Sequence, residues 1–226
     1  MWLALVPALY KVEVDNAWVR AVREIVPPHE KSESHRHPAA VTVWLTSPQH
    51  KPGDVTYSEA GEHVLDNSSD TPLEAIVIEL KTGAAPSTPI TLDPVKLDPK
   101  YHIVALENSR VRALRTILEP GIKSPLHEHP HYVVVYITEL HTTMELADGR
   151  VVDNPRRPGE TAWRDYMKHS TLNVGKLGVV DLRQRLTLEL RRLLHRDAVL
   201  VLVGVGALQI RIAPRCFRGD IFCGLA

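Results

Sequence analysis

Apolar residues along this chain fall in short runs, alternating with polar ones or bunched for burial, and Pro, Gly and Asn clusters interrupt them every ~8–12 residues. This pattern predicts strands in an all-β sandwich or barrel. VTVWLT (41–46), YVVVYIT (132–138) and TPLEAIVIELK (71–81) are runs of this kind. ELHTTMELADGRVVDNPRR (139–157) carries alternating residues on both sides of an Ala-Asp-Gly turn, a hairpin signal. The apolar opening MWLALVPALY lacks a basic leader and a small-residue cleavage site, and it reads as the lead-in to a first strand. Two segments depart from the strand pattern. KTGAAPSTPITLDPVKLDP (81–99) has no period and reads as a connector, with the boundary near Ile90. VVDLRQRLTLELRRLLHRD (179–197) has helical character, and its arginines Arg183, Arg185, Arg191 and Arg192 read as a solvated face.

The strand pattern occurs twice. Residues 16–46 match residues 108–138 at a constant offset of 92 (108 minus 16), with Asn16/Asn108, Arg23/Arg115, Ser32/Ser124, His35/His127 and His37/His129 among the identities. Residues 51–67 match residues 157–173 at an offset of 106 (169 minus 63), which pairs Gly53/Gly159, His63/His169 and Asn67/Asn173. The first copy is therefore shorter by 14 residues (106 minus 92) between its two blocks, and the hairpin of 139–157 is what it lacks. The expected division is a first repeat with connector at 1–90, a second repeat at 91–178, and a tail at 179–226. No counterpart of TPLEAIVIEL follows Asn173 directly. Either a helix intervenes before a closing strand, or the tail is unrelated to the repeat.

Charge narrows the function. Lys+Arg and Asp+Glu are 27 each, so no electrostatic footprint points to nucleic acid or anionic lipid. AVLVLVGVGAL (198–208) is the nearest approach to a membrane span and is too short for one. Cys216 and Cys223 have neither metal-knuckle spacing nor a disulfide framework. The expectation is a soluble, cytoplasmic protein that acts on a small molecule, with neither nucleic acid nor membrane as partner and a homodimer as its assembly.

Candidate chemistry lies in the histidines. Two histidines at i and i+2 of a strand share a face, and a third from a neighbouring strand completes a facial set of imidazoles for a transition metal. His127, His129 and His169 form this set in repeat 2, and His35, His37 and His63 form it in repeat 1. The missing hairpin predicts a less enclosed, weaker site in repeat 1. Glu139 and His131 are candidates for a fourth ligand. Trp18, Trp44, Tyr57, Tyr136 and Trp163 read either as core or as pocket walls. Arg20/Arg112 and Arg23/Arg115 read either as surface strand residues or as groups for a substrate carboxylate.

These blocks resemble the two motifs of the cupin superfamily, in particular small bacterial cupins. Gly121, His127 and His129 match the first motif, whereas His29 stands at the glycine position in repeat 1. Gly61, His63 and Asn67 match the second motif, as do His169 and Asn173. The resemblance implies two jelly-roll-like β-barrels in tandem, followed by a partly helical tail. The motif's glutamate is missing, its place taken by Val41 or Thr42 and by Val133 or Val134, which leaves three neutral imidazoles. The chain is in this respect similar to three-histidine cupins that act as non-haem iron dioxygenases. The resemblance implies a divalent transition metal, iron first, with zinc, nickel, manganese and copper as alternatives. A non-catalytic binding protein, and a metal-dependent isomerase or lyase on a sugar-like substrate, are the other readings.

Overall fold

The computed structural model describes residues 9–81, 88–175 and 198–205. Repeat 1 comprises β1 (Leu9–Asp15), β2 (Val19–Val26), β3 (Glu30–Lys31), β4 (His35–His37), β5 (Ala40–Thr46), β6 (Val55–Ser58), β7 (Gly61–His63), β8 (Asp66–Asn67) and β9 (Leu73–Leu80). A single helical turn, α1 (Pro94–Leu97), is capped by the Asp93 side chain, which accepts from the Val95 amide. Repeat 2 follows as β10 (His102–Glu107), β11 (Val111–Leu118), β12 (His127–His129), β13 (Tyr132–Tyr136), β14 (Leu140–Leu146), β15 (Val151–Arg156), β16 (Thr161–Arg164), β17 (Met167–Asn173) and β18 (Ala198–Val205).

The two repeats have the same sheet. Its order is β1-β2-β9-β5-β6 in the first and β10-β11-β18-β13-β16 in the second. Even the bulge recurs, between Val12 and Val14 in β1 and between Val104 and Leu106 in β10. β18 therefore occupies the place of β9, paired with β11 on one side and β13 on the other. Residues 198–205 thus pair within the large sheet of repeat 2, beyond the expected boundary at 178. The helical reading of 179–197 and the two cysteines fall outside the described residues.

Several repeated identities are turn and ladder devices. Asn16 and Asn108 each accept two backbone amides through Oδ1, from Trp18 and Val19 and from Arg110 and Val111. Ser32 exchanges two bonds with Leu65, and Ser124 exchanges the same two with Thr171. Asn67 and Asn173 are buried, and their side-chain amides donate to the ends of β2 and β11, at Val26 O and Leu118 O. Gly121 follows Pro120 at φ +79°, and its counterpart His29 adopts φ +60°, so the turn requires the left-handed region in both repeats whichever residue occupies it.

Both faces of the large sheets are covered, which explains why β13, YVVVY, is buried throughout. One face of each sheet packs on the other repeat: Val19, Ala21, Val41 and Val43 meet Val111, Ala113, Val133 and Val135, and all eight are at most 2 % exposed. These residues correspond at the same offset of 92 (111 minus 19), so the repeats meet face to face through equivalent surfaces. Arg23 donates to the carbonyl of Gly159, and Arg115 lies against Gly53 in the reciprocal position. Trp18 stacks on Trp163, and His131 packs against both rings. The opposite face of the repeat 2 sheet carries Leu114, Leu118, Tyr132, Val134, Tyr136 and Leu202 into the barrel.

The 14-residue difference in length between the copies comes from the hairpin β14–β15. In repeat 2 it extends β12 and β17 into a four-stranded sheet, whereas repeat 1 has only the two-stranded pairs β4–β7 and β3–β8 there. No helix among the described residues is long and apolar enough to cross a membrane.

Candidate metal centre

Strand pairing brings the three sequence-expected histidines of repeat 2 together. β12 and β17 run antiparallel with His127 directly opposite His169, and period-two alternation puts His129 on the same face as His127. All three are buried, with ring centroids 4.8 Å apart for His127–His129, 4.6 Å for His127–His169 and 5.4 Å for His129–His169. His127 Nδ1 lies 2.8 Å from the Pro125 carbonyl, which orients the ring and leaves Nε2 to face the cluster.

A fourth histidine completes the group. His102, at the start of β10, is 2 % exposed, with its ring 4.9 Å from that of His127. One ring nitrogen each of His102, His127 and His129 lies within 4.8 Å of the others. Neither residue weighed as a fourth ligand is there: His131 packs against Trp163 and sits 3.3 Å from Asp165, and Glu139 is exposed beyond the end of β13. His102 has no identity in the repeat, since its counterpart at the offset of 92 is Tyr10, so a search for repeated histidines passes over it. It also stands at the head of a strand whose next residues, Ile103, Val104 and Ala105, are exposed, so local hydrophobicity points the wrong way.

The electrostatics suit a cation. Burial lowers His102 to about 4, helped by the nearby His127, and lowers His169 to about 3, helped by His127 and His102. Burial also lowers His127, and it takes His129 well below the ordinary imidazole range. The rings are therefore neutral near pH 7, the form that binds metal. Buried Nδ1 atoms of His102 and His169 have no hydrogen-bond partner in the protein. Unpartnered buried nitrogens among converging neutral imidazoles fit a divalent transition metal by donor type.

These histidines form one wall of an open cavity between the two sheets of repeat 2. The remaining walls are largely apolar, with Leu118, Val134, Leu140 and Met144 prominent, and the hairpin contributes Leu140, Thr142, Met144 and Asn154. Among the described residues, no Asp, Glu, Lys or Arg lines it. Of the aromatic candidates only Tyr136 reaches this cavity, joined by Tyr132. The candidate arginines lie elsewhere: Arg20 pairs with Glu79, Arg112 with Asp93, and Arg23 with Glu13 and Glu74.

Repeat 1 brings its set together in a looser form. His35 is directly opposite His63 across β4–β7, and the ring centroids of His37 and His63 are 4.4 Å apart. His37 is buried, while His35 and His63 are partly exposed. β17 is held on both sides, by β12 and β14, whereas β7 pairs with β4 alone, which is the physical reason for the difference in enclosure.

No protein-family model and no curated protein matches the sequence. Solved structures do match the fold. A cupin 2 conserved barrel domain protein from Leptotrichia buccalis is 9% identical, with a TM-score of 0.52 over 91% of this chain and 92% of that one. A variant of oxalate decarboxylase from Bacillus subtilis is 12% identical, with a TM-score of 0.54 over 84% and 69%. A variant of the salicylate 1,2-dioxygenase from Pseudoaminobacter salicylatoxidans is 10% identical, with a TM-score of 0.52 over 83% and 71%. The fold of this chain is the cupin fold, in two tandem copies.

Proposed function

We propose that this two-repeat cupin fold houses a metal-dependent enzyme centre in repeat 2, an iron oxygenase acting on a small molecule with an apolar body and one anionic or enolisable end. The observation that carries this reading is the group of four buried, neutral imidazoles on one wall of a cavity whose other described lining residues are apolar or uncharged polar. His127, His129 and His169, with His102 beside them, would hold the ion. When bound, it supplies Lewis acidity and oxygen activation. Because the ligands are neutral, they leave its charge uncompensated, and with no Lys or Arg among the described lining residues the anionic end of a substrate has its counter-charge at this wall. Leu118, Val134, Leu140 and Met144 bury the substrate body and exclude water. Tyr132 is kept protonated by its burial and can donate a hydrogen bond to an anion. Among the described residues the lining supplies imidazoles, hydroxyls and an amide as its polar groups, so the reading places the chemistry in the ion. Two of the fold neighbours are named for small carboxylates, oxalate and salicylate.

One feature favours a second reading, non-catalytic metal binding: four imidazoles saturate a tetrahedral ion, whereas a six-coordinate ion keeps two positions open. Oxygen uptake by iron-loaded protein over a panel of diketones, keto acids, hydroxybenzoates and thiols tests the choice. Uptake dependent on one compound class, and abolished in His127→Ala/His129→Ala, is expected. Zinc as the ion found on purification, with no uptake across the panel after iron loading, would favour the binding protein.

A further inference from the structure

The two repeats place different donors at one equivalent rung of a ladder. Tyr10 faces Glu24 across β1–β2, and His102 faces Thr116 across β10–β11. These rungs are equivalent at the offset of 92 (102 minus 10, 116 minus 24), so each repeat offers one donor there, taken from opposite strands. In repeat 2 the donor is the imidazole of His102, and in repeat 1 it is the carboxylate of Glu24.

Glu24 shares the inward parity of Val22 and Val26 on β2, and it is 4 % exposed. One Oε atom lies 3.7 Å from His35 Nε2. The other, Oε2, is buried and receives no hydrogen bond, and the same holds for His63 Nδ1. One ligand atom each of Glu24, His35 and His63 lies within 4.8 Å of the others. His35 Nδ1 is 3.0 Å from the Glu33 carbonyl, the counterpart of the contact that orients His127, so both repeats aim the first histidine of the pair in the same way. A buried carboxylate with an unsatisfied oxygen is costly unless a cation offsets it.

We propose that repeat 1 carries a second, independent metal site in which Glu24 is the anionic ligand beside His35 and His63, with His37 adjoining. The site differs from that of repeat 2 by one negative charge and one hard oxygen donor. Carboxylate oxygen suits manganese, whereas imidazole suits zinc, iron, nickel and copper, so the two sites sort ions of different hardness. This rests on repeat 1 alone and is independent of any activity of repeat 2.

The test is titration of the chelator-stripped full chain with Mn(II) and with Zn(II), counting bound ions per chain by elemental analysis and following Mn(II) by electron paramagnetic resonance. The expected result for the wild type is two Zn(II) per chain, with Mn(II) binding first at repeat 1. The isosteric Glu24→Gln variant should lose Mn(II) at that site by more than the ~10–100-fold that removal of an outer-shell contact costs. The double variant Tyr10→His/Glu24→Thr transplants the repeat 2 rung and should bind Zn(II) at repeat 1 without recovering Mn(II). Unchanged Mn(II) affinity in either variant, or no Mn(II) bound by the wild-type chain, overturns the proposal.

Discussion

Histidine burial sets how this protein responds to acid. In the unfolded chain an imidazole takes up a proton near pH 6.5, whereas His102 does so only at about 4 and His169 at about 3 in the fold. Above pH 6.5 both states are neutral and these groups contribute nothing to pH dependence. Between pH 6.5 and 4 the unfolded chain binds protons that the native state refuses, so stability falls as pH falls, by about 1.4 kcal/mol per pH unit for each such histidine. Thermal unfolding of the chelator-stripped protein should therefore show a melting temperature that declines across this window. The quadruple variant with His102, His127, His129 and His169 all replaced by Gln should show a shallower decline. An equally steep decline in that variant would place the acid sensitivity elsewhere.

At the scale of elements, the β14–β15 hairpin is what makes repeat 2 a cavity and repeat 1 an open cluster. It does more than wall the cavity, because β14 pairs with β17 along Thr142–Leu146 and the rung Leu146↔His169 braces the third histidine. A variant in which the hairpin is excised and the ends are joined as in repeat 1 should keep its large sheet, whose strands β10, β11, β18, β13 and β16 do not include it. It should lose Zn(II) affinity at repeat 2 by about 10-fold or more, since the ligand would be held as loosely as His63 is. Competition titration against a chromogenic chelator reads this directly, and unchanged affinity would show that β12 alone suffices to hold β17.

For the whole molecule, the decisive surface is the one between the repeats. Eight valines and alanines from equivalent positions on the two large sheets are at most 2 % exposed there, and the Arg23–Gly159 contact joins them on its edge. Separating the repeats would uncover a continuous apolar sheet face on each, an aggregation surface with no partner. Residues 1–90 or 91–226 produced alone should be insoluble or should self-associate through that face, and co-production should restore one cooperative unfolding transition. A monomeric, cooperatively folding fragment, seen by sedimentation and calorimetry, would show that each barrel is self-sufficient. Glu128 couples the connector to this body as well: its carboxylate accepts from the Thr91 and Leu92 amides, and its amide donates back to the Leu92 carbonyl.

By itself the sequence determined the strand content, the duplication, the missing hairpin and the two histidine sets, because alternation and repeat offsets are local or self-referential signals that survive without coordinates. The turn asparagines and the Gly121/His29 position belong to this class, since their chemistry acts over two or three residues. What only the tertiary structure decided is who joins from outside the motif. His102 and Glu24 lie on different strands of equivalent rungs, so neither repeats as an identity, and each meets the first histidine of its HxH pair only in the folded barrel. β18 returns to its sheet after an interruption with no repeat partner, and an edge to pair with exists only once β11 and β13 are in place. The role of the repeated arginines was hidden for the same reason: Arg23 is held by Glu13, Glu74 and the carbonyl of Gly159, partners from other strands and from the other repeat, and such a contact is a property of docked surfaces, not of any one segment.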